Sequence, residues 1–203
     1  EGHNHQRKMD GVASAMAALD LPANTANRVR DYFDYVWLRH RDHAGYNFIR
    51  SLPYTLGSRI SCEVHKERIM ACPLFKNAHI KFVAAVATVL LPEVYLPSEF
   101  IIVAGYISRA MYFVRRGRVE MLKRDEDREL QLTICDDFFD VLGLFTSRQR
   151  SLSVRSLTHS DIYKLPSSQF EHVIREYPGI AMGVADDAVN SFPERNAAII
   201  RSR

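Results

Sequence analysis

Apolar residues in the first third of the chain fall at Val29, Tyr32, Phe33, Val36 and Trp37. This i, i+3, i+4, i+7, i+8 spacing is that of a helix with one buried face. Pro22 stands where such a helix can begin, because the first turn needs no amide donor there. The run Arg39-His40-Arg41-Asp42-His43-Ala44-Gly45 breaks the stripe and predicts a turn. Leu52-Pro53 then opens a further helix, with Leu56, Ile60 and Val64 expected on its buried side, and Cys72-Pro73 marks the next boundary. Trp37 and its neighbours Tyr32, Phe33 and Tyr35 read as packing rather than as a ligand cage.

The period changes in the middle of the chain. Met111 to Val114 and Val119 to Leu122 are short apolar runs around Arg115-Arg116-Gly117-Arg118, which predicts a hairpin with Gly117 at positive φ. Lys123 to Glu129 reads as a charged loop. Leu130, Leu132 and Ile134 alternate with Gln131 and Thr133, as in a half-buried strand, and Leu152 and Val154 alternate in the same way. Ile162 to Leu165 adds another short strand, and such a series argues for a small barrel or roll. The helical period then returns: Ser167 or Ser168 is expected to cap a helix carrying Phe170, Val173 and Ile174. Pro178 should start another, with Ile180, Val184 and Ala188 on one face, until Pro193 stops or kinks it. The predicted layout is helices over residues 10–75, antiparallel strands over about 100–166 with none before Leu90, and helices over 167–192.

Composition narrows this picture. The 203 residues are 47% hydrophobic, enough for the core of one domain with a helical extension. A net charge of +3 does not argue for a nucleic-acid partner. No run approaches the ~18 apolar residues of a membrane span; the longest, Phe82 to Leu91, contains Thr88. The polar start Glu1-Gly2-His3-Asn4-His5 does not read as a signal peptide, so any membrane segment is expected outside this sequence. Cys62, Cys72 and Cys135 are odd in number and lack a Cys-x-x-Cys spacing, which points to free thiols in a reducing setting. His40 with His43, and Cys62 with His65, are i, i+3 pairs, but a metal needs three or four convergent ligands, so no metal is expected. Ser153, His159 and Asp161 lack a nucleophile elbow, and no Gly-rich phosphate loop occurs. No catalytic residues are assigned, and the chain reads as non-enzymatic.

Seven short motifs, in order, carry a resemblance. They are Leu21-Pro22 followed by Arg28-Val29 and Asp31-Tyr32-Phe33; Leu52-Pro53-Tyr54-Thr55-Leu56; Pro73-Leu74-Phe75; Tyr95-Leu96-Pro97 with Ile101-Ile102 and Gly105; Met111-Tyr112-Phe113-Val114 with Gly117; Arg150-Ser151-Leu152-Ser153-Val154-Arg155; and Glu176-Tyr177-Pro178. Over about Asp10 to Phe192 the chain resembles the C-linker plus cyclic-nucleotide-binding domain of hyperpolarisation-activated and cyclic-nucleotide-gated cation channels. The resemblance implies an α+β fold: a helical C-linker over residues 1–76, a jelly-roll-like β-roll with flanking helices over 77–193, and a tail over 194–203. It further implies the cytoplasmic gating part of a membrane channel, joined to the pore and assembled as a homo-tetramer through the linker. His43-Ala44-Gly45 stands where the family often has an acidic pair, which puts the usual intersubunit salt bridge in question.

A cyclic phosphate needs a buried arginine and backbone amides, and its ribose hydroxyl needs an acceptor. By resemblance, Arg150 takes the phosphate position and Ser151 the neighbouring hydroxyl position. The family's Phe-Gly-Glu-Ile-x-Leu-Leu cassette reads here Phe139-Asp140-Val141-Leu142-Gly143-Leu144-Phe145. Asp140 replaces the glycine that lets backbone approach phosphate, and Val141 replaces the ribose-binding glutamate. A hydroxyl buried against valine costs roughly 1–3 kcal/mol, and with repulsion from Asp140 the two changes would weaken binding by about a hundredfold or more. Asp140 either pairs with Arg150, plugging the pocket with the protein's own ion pair, or faces solvent. In the lid region Ser191 and Glu194 replace arginines, with Pro193 between them. Ala197-Ala198-Ile199-Ile200 is a candidate tail strand for filling the pocket.

The expected function is therefore a gating module that binds cAMP or cGMP weakly or not at all, with a fully nucleotide-responsive channel domain as the alternative. A transcription regulator of the same fold would need a helix-turn-helix after Pro193, where about ten residues remain. A kinase regulatory subunit would lack the Leu-Pro helical linker of residues 10–75.

Overall fold

In the computed structural model, residues 2–38, 40–125, 128–135 and 137–178 are described. Four helices come first: α1 (Gly2–Ala18), α2 (Ala23–Leu38), α3 (His40–Ser51) and α4 (Tyr54–Ala71). A 3-10 turn (Pro73–Phe75) and α5 (Ile80–Thr88) lead into the strands. These are β1 (Leu91–Tyr95), β2 (Phe100–Ile102), β3 (Ala110–Arg116), β4 (Val119–Asp125), β5 (Arg128–Cys135), β6 (Phe138–Phe139), β7 (Ser153–Ser156) and β8 (Ser160–Pro166). A second 3-10 turn (Val141–Leu144) separates β6 from β7, and α6 (Ser167–Glu176) follows β8. Two four-stranded sheets, ordered β1-β8-β3-β6 and β2-β7-β4-β5, make the roll, and every strand pair in them is antiparallel. The α+β expectation and the order helices, strands, helix hold, and the first strand begins at Leu91.

The two-residue period of β3 and β8 organises the core. Met111, Phe113, Tyr163 and Leu165 point to one side, where they meet Ile69, Phe75, Phe82, Val86 and Phe170 from the 3-10 turn and helices. Tyr112, Val114 and Ile162 point to the other, where they meet Ile102, Val119 and Val154 from the second sheet. The first sheet is thus buried on both faces, which explains its nearly continuous apolar runs. Burying each large side chain contributes about 1.5–3 kcal/mol.

Several local expectations are corrected. Residues 40–45 are helical, so the turn expected over Arg39–Gly45 is not found at these six positions. A lone Gly45 costs only about 1 kcal/mol relative to alanine, too little to break a helix by itself. In α4 the buried residues are Gly57, Ser61, Cys62, His65 and Ile69, while Leu56 and Val64 are 47% and 53% exposed. The reason is close helix packing: a Cβ on Gly57 would lie 2.9 Å from the Ile49 carbonyl oxygen of α3. Small residues take the contact and turn the larger ones outward.

Gly117 has φ +89, and a Cβ there would lie 2.3 Å from Ser160 Oγ, so the turn forms as expected. Its two strands are not a hairpin, however, because β3 joins one sheet and β4 the other. The true hairpin is β4–β5, with Asp125 opposite Arg128, so most of the charged Lys123–Glu129 segment is strand. β5 forms the edge of its sheet, and Leu132 and Ile134 are each 47% exposed rather than buried. Pro166, not a serine, occupies the N-cap of α6 without a side-chain cap bond. The first amide of α6, on Ser167, donates instead to the Arg109 carbonyl at 2.9 Å. The helix expected after Pro178, the lid residues Ser191 and Glu194, and the tail strand 197–200 lie outside the described residues. Among the described residues no helix is long and apolar enough to cross a membrane.

Candidate functional site

The site forms where β6 ends. Phe138 and Phe139 pair with Phe113 and Tyr112 of β3, and the rings of Tyr112 and Phe139 stack at 4.9 Å. The next residue, Asp140, has φ 55 and ψ 42, in the left-handed region. For a side-chain-bearing residue this conformation costs roughly 1–2 kcal/mol, least for Asn and Asp. The chain then tightens into the 3-10 turn, with the Gly143 amide donating to the Asp140 carbonyl at 2.8 Å. Gly143 has no room for a side chain, since its Cβ would meet the Ala110 carbonyl oxygen at 2.0 Å. The turn is thereby pressed onto β3, and Val141 and Leu144 enter the helix-side core.

Arg150 arrives from the loop before β7. Its backbone is clamped to the β2–β3 loop: Gly105 N–H donates to the Arg150 carbonyl at 2.8 Å, and Arg150 N–H to the Tyr106 carbonyl at 2.9 Å. The guanidinium is held on several sides. Nη2 donates to the Ser108 carbonyl at 2.8 Å, and Nη1 to the Arg148 carbonyl at 3.2 Å and to Thr146 Oγ1 at 3.4 Å. Nε lies 2.7 Å from Asp140 Oδ1. This last contact is an ion pair rather than a well-aligned hydrogen bond. The two side chains are only 12% and 8% exposed.

Of the two sequence alternatives for Asp140, the structure therefore has the ion pair with Arg150. Burial pushes the Asp140 carboxyl above the usual range, against the opposing pull of Ser108, Arg150 and the Gly143 amide. The buried Ser108 hydroxyl lies beside both Asp140 and Tyr112, close enough to favour their charged forms without an aligned hydrogen bond to either. An anion approaching Arg150 would have to displace the carboxylate or be buried next to it. Desolvating two like charges together is strongly unfavourable.

Ser151 follows Arg150 on an exposed bend, Leu142 is half-buried, and Val141 is only 7% exposed in the core. Arg150 and Asp140 are brought together, and Val141 lies close by in sequence but packs the opposite way, into the core. Ser108 and Thr146 were not foreseen. Ser108 acts largely through its main-chain carbonyl, which carries no residue-type signal. Among the described residues, no group of three or more His, Cys, Asp or Glu side chains could hold a metal.

A second set of contacts joins the helices to the roll. Tyr35 of α2 donates its hydroxyl to Asp161 of β8 at 3.0 Å and stacks on His159 at 4.7 Å. Arg28 of α2 lies 3.6 Å from Glu99. His65 of α4 is buried edge-on against Tyr163 of β8 at 4.5 Å. Burial, with Arg68 and Arg115 nearby, lowers the His65 pKa to about 4, so the imidazole is neutral at pH 7.

Comparison with known proteins agrees with the roll fold. Residues 92–177 match the family model of the cyclic nucleotide-binding domain. The chain is similar to a cyclic nucleotide-gated channel of Caenorhabditis elegans, at 27% identity over 180 residues, covering 85% of this chain and 24% of that protein. It is also similar to potassium/sodium hyperpolarization-activated cyclic nucleotide-gated channel 1 of Homo sapiens, at 27% identity over 200 residues, covering 97% of this chain and 22% of that one. Channel 2 of the same type from Mus musculus is 28% identical over 199 residues, with 97% and 23% covered. The chain thus spans under a quarter of the length of these curated relatives, all of which are channels rather than enzymes.

Proposed function

We propose that this chain, whose residues 92–177 form a cyclic nucleotide-binding-type domain homologous to those of hyperpolarisation-activated and cyclic-nucleotide-gated channels, is the gating module of a tetrameric cation channel whose nucleotide pocket is plugged from within. The observation that carries this reading is the buried Asp140–Arg150 pair, Nε to Oδ1 at 2.7 Å. A working phosphate site keeps its arginine free for the ligand. Here the guanidinium already has a carboxylate and three oxygen acceptors from the chain. Bound cAMP or cGMP would have to break that arrangement, so affinity is low or nil.

The helices of residues 1–76 serve as a C-linker that carries the state of the roll to a pore. Tyr35–Asp161, Arg28–Glu99 and His65–Tyr163 support this, because they couple helices α2 and α4 mechanically to the roll. Residues 77–193 form the sensing unit and 194–203 a tail, and four linkers form the ring through which the homo-tetramer assembles. The module sits on the cytoplasmic side of the channel's membrane.

Calorimetry of the chain with cAMP and with cGMP tests the proposal. The expected result is no saturable heat, or binding so weak that physiological nucleotide leaves most sites empty. Tight binding of either nucleotide would contradict it.

A further inference from the structure

A cavity of about 490 Å³ opens beside the β2–β3 loop, on a side of Tyr106 and Ser108 whose lining does not include the Asp140 carboxylate. Its apolar wall includes Ile101, Val103 and Ile107, and Tyr112 lies on the inner side. Arg109 and Lys164 also line it, one from the β2–β3 loop and one from β8. Lys164 is tied to Glu93 of β1 at 3.1 Å and is about one-third exposed, whereas the Arg109 side chain is in the exposed part of the wall. No carboxylate lines the cavity. The volume is within the range of small-molecule sites, about 300–1,000 Å³. Lys164 shares its charge with Glu93, so Arg109 is the cation offered to a ligand, and an apolar wall beside it selects a small molecule with an apolar body and one negative end.

The same cavity is wired to the plugged site. Ser108 lines it and, through its carbonyl, accepts Nη2 of Arg150 at 2.8 Å. Ala110 also lines it, and its carbonyl is the surface against which Gly143 is pressed. A molecule that shifts the 106–110 segment must therefore disturb both Arg150 and the turn that carries Asp140.

We propose that this cavity is a binding site for a small amphipathic anion of the medium-chain carboxylate type, with its chain against Ile101, Val103 and Ile107 and its carboxylate on Arg109. Occupancy would act on the Arg150–Asp140 pair through Ser108, giving the roll a ligand input separate from the phosphate position. This goes beyond the plugged-pocket reading and does not depend on it.

The test uses sodium decanoate, below its micelle concentration, titrated into the whole chain and followed by calorimetry and by amide chemical shifts. Decanol of the same chain length is the neutral control. The expected result is saturable one-to-one binding of decanoate, at least about tenfold tighter than decanol, with shifts at Ser108 and Arg150. Arg109→Gln should weaken decanoate by about tenfold, the scale of one lost charge-assisted contact, and leave decanol unchanged. Ile107→Trp, at a position 53% exposed and so tolerant of size, should fill the cavity and abolish binding of both. A circular-dichroism melt confirms that each variant is folded. Absence of saturable decanoate binding would overturn the proposal. So would wild-type binding by both variants, or decanol binding as tightly as decanoate.

Discussion

At residue 140 two costs are accepted together: a left-handed backbone on a residue with a side chain, and a buried carboxylate. Glycine would avoid both, so the aspartate must be judged with Arg150, whose buried guanidinium it neutralises. Removing one partner of such a buried pair typically costs about 3–5 kcal/mol, while relief of the left-handed strain returns about 1–2 kcal/mol. Val141 sets a different constraint. It lies in the helix-side core, so Val141→Glu alone should not create a ribose acceptor at low cost. The carboxylate would be buried among Leu144, Phe138 and their neighbours, and chemical denaturation should show a loss of several kcal/mol. A Val141→Glu variant as stable as the wild type would mean that this side chain reaches solvent or the pocket. Arg150 and Asp140 could be located in the sequence by the order of the motifs. Their pairing could not, because it depends on the dihedral angles of residue 140 and on a main-chain carbonyl at Ser108.

Elements were legible where one face is unambiguous and illegible where small residues decide. The apolar runs of β3 and β8 announce strands buried on both sides, and both are found. The rotation of α4 was hidden, because Gly57 and Ser61 make its close contacts while Leu56, Ile60 and Val64 supply the visible stripe. The Gly117 turn was clear, but whether its strands pair or part into two sheets depends on partners far away in sequence. At the seam between α4 and β8, His65 makes a pH prediction. Its pKa is about 4 in the folded chain, below the ordinary value of 6.5. Above pH 6.5 the group is neutral in both states and its contribution to stability is fully present. As pH falls, the unfolded chain takes up the proton first, and stability is lost progressively down to about pH 4. From pH 7 to pH 5 this amounts to about 2 kcal/mol. Urea denaturation at the two pH values should show that loss in the wild type, with His65→Phe losing correspondingly less. Equal losses in both proteins would place the acid sensitivity elsewhere.

At the scale of the whole molecule, α2 and α4 touch the roll at Tyr35–Asp161, Arg28–Glu99 and His65–Tyr163. Leu38, Phe48, Leu56 and Val64 are outward apolar positions on the helices, and Tyr106, Leu132 and Ile134 are outward on the roll. If these helices build the ring, sedimentation should find the chain monomeric or weakly associated when dilute and tetrameric when concentrated. Leu56→Glu with Val64→Glu should reduce the tetramer without altering the thermal melt of the roll. A stable two-fold dimer formed through the roll alone would contradict the ring.

The central claim is that the chain's own carboxylate occupies the phosphate arginine, and calorimetry with cAMP and cGMP on three proteins tests it most directly. The wild type should bind weakly or not at all. Asp140→Gly should free Arg150, allow the backbone to approach and raise affinity by at least about tenfold, the effect of recovering 1.4 kcal/mol. Adding Arg150→Ala should remove most of that gain, because the phosphate loses its buried cation. Tight binding by the wild type, or a folded Asp140→Gly protein with no gain for either nucleotide, would contradict the account.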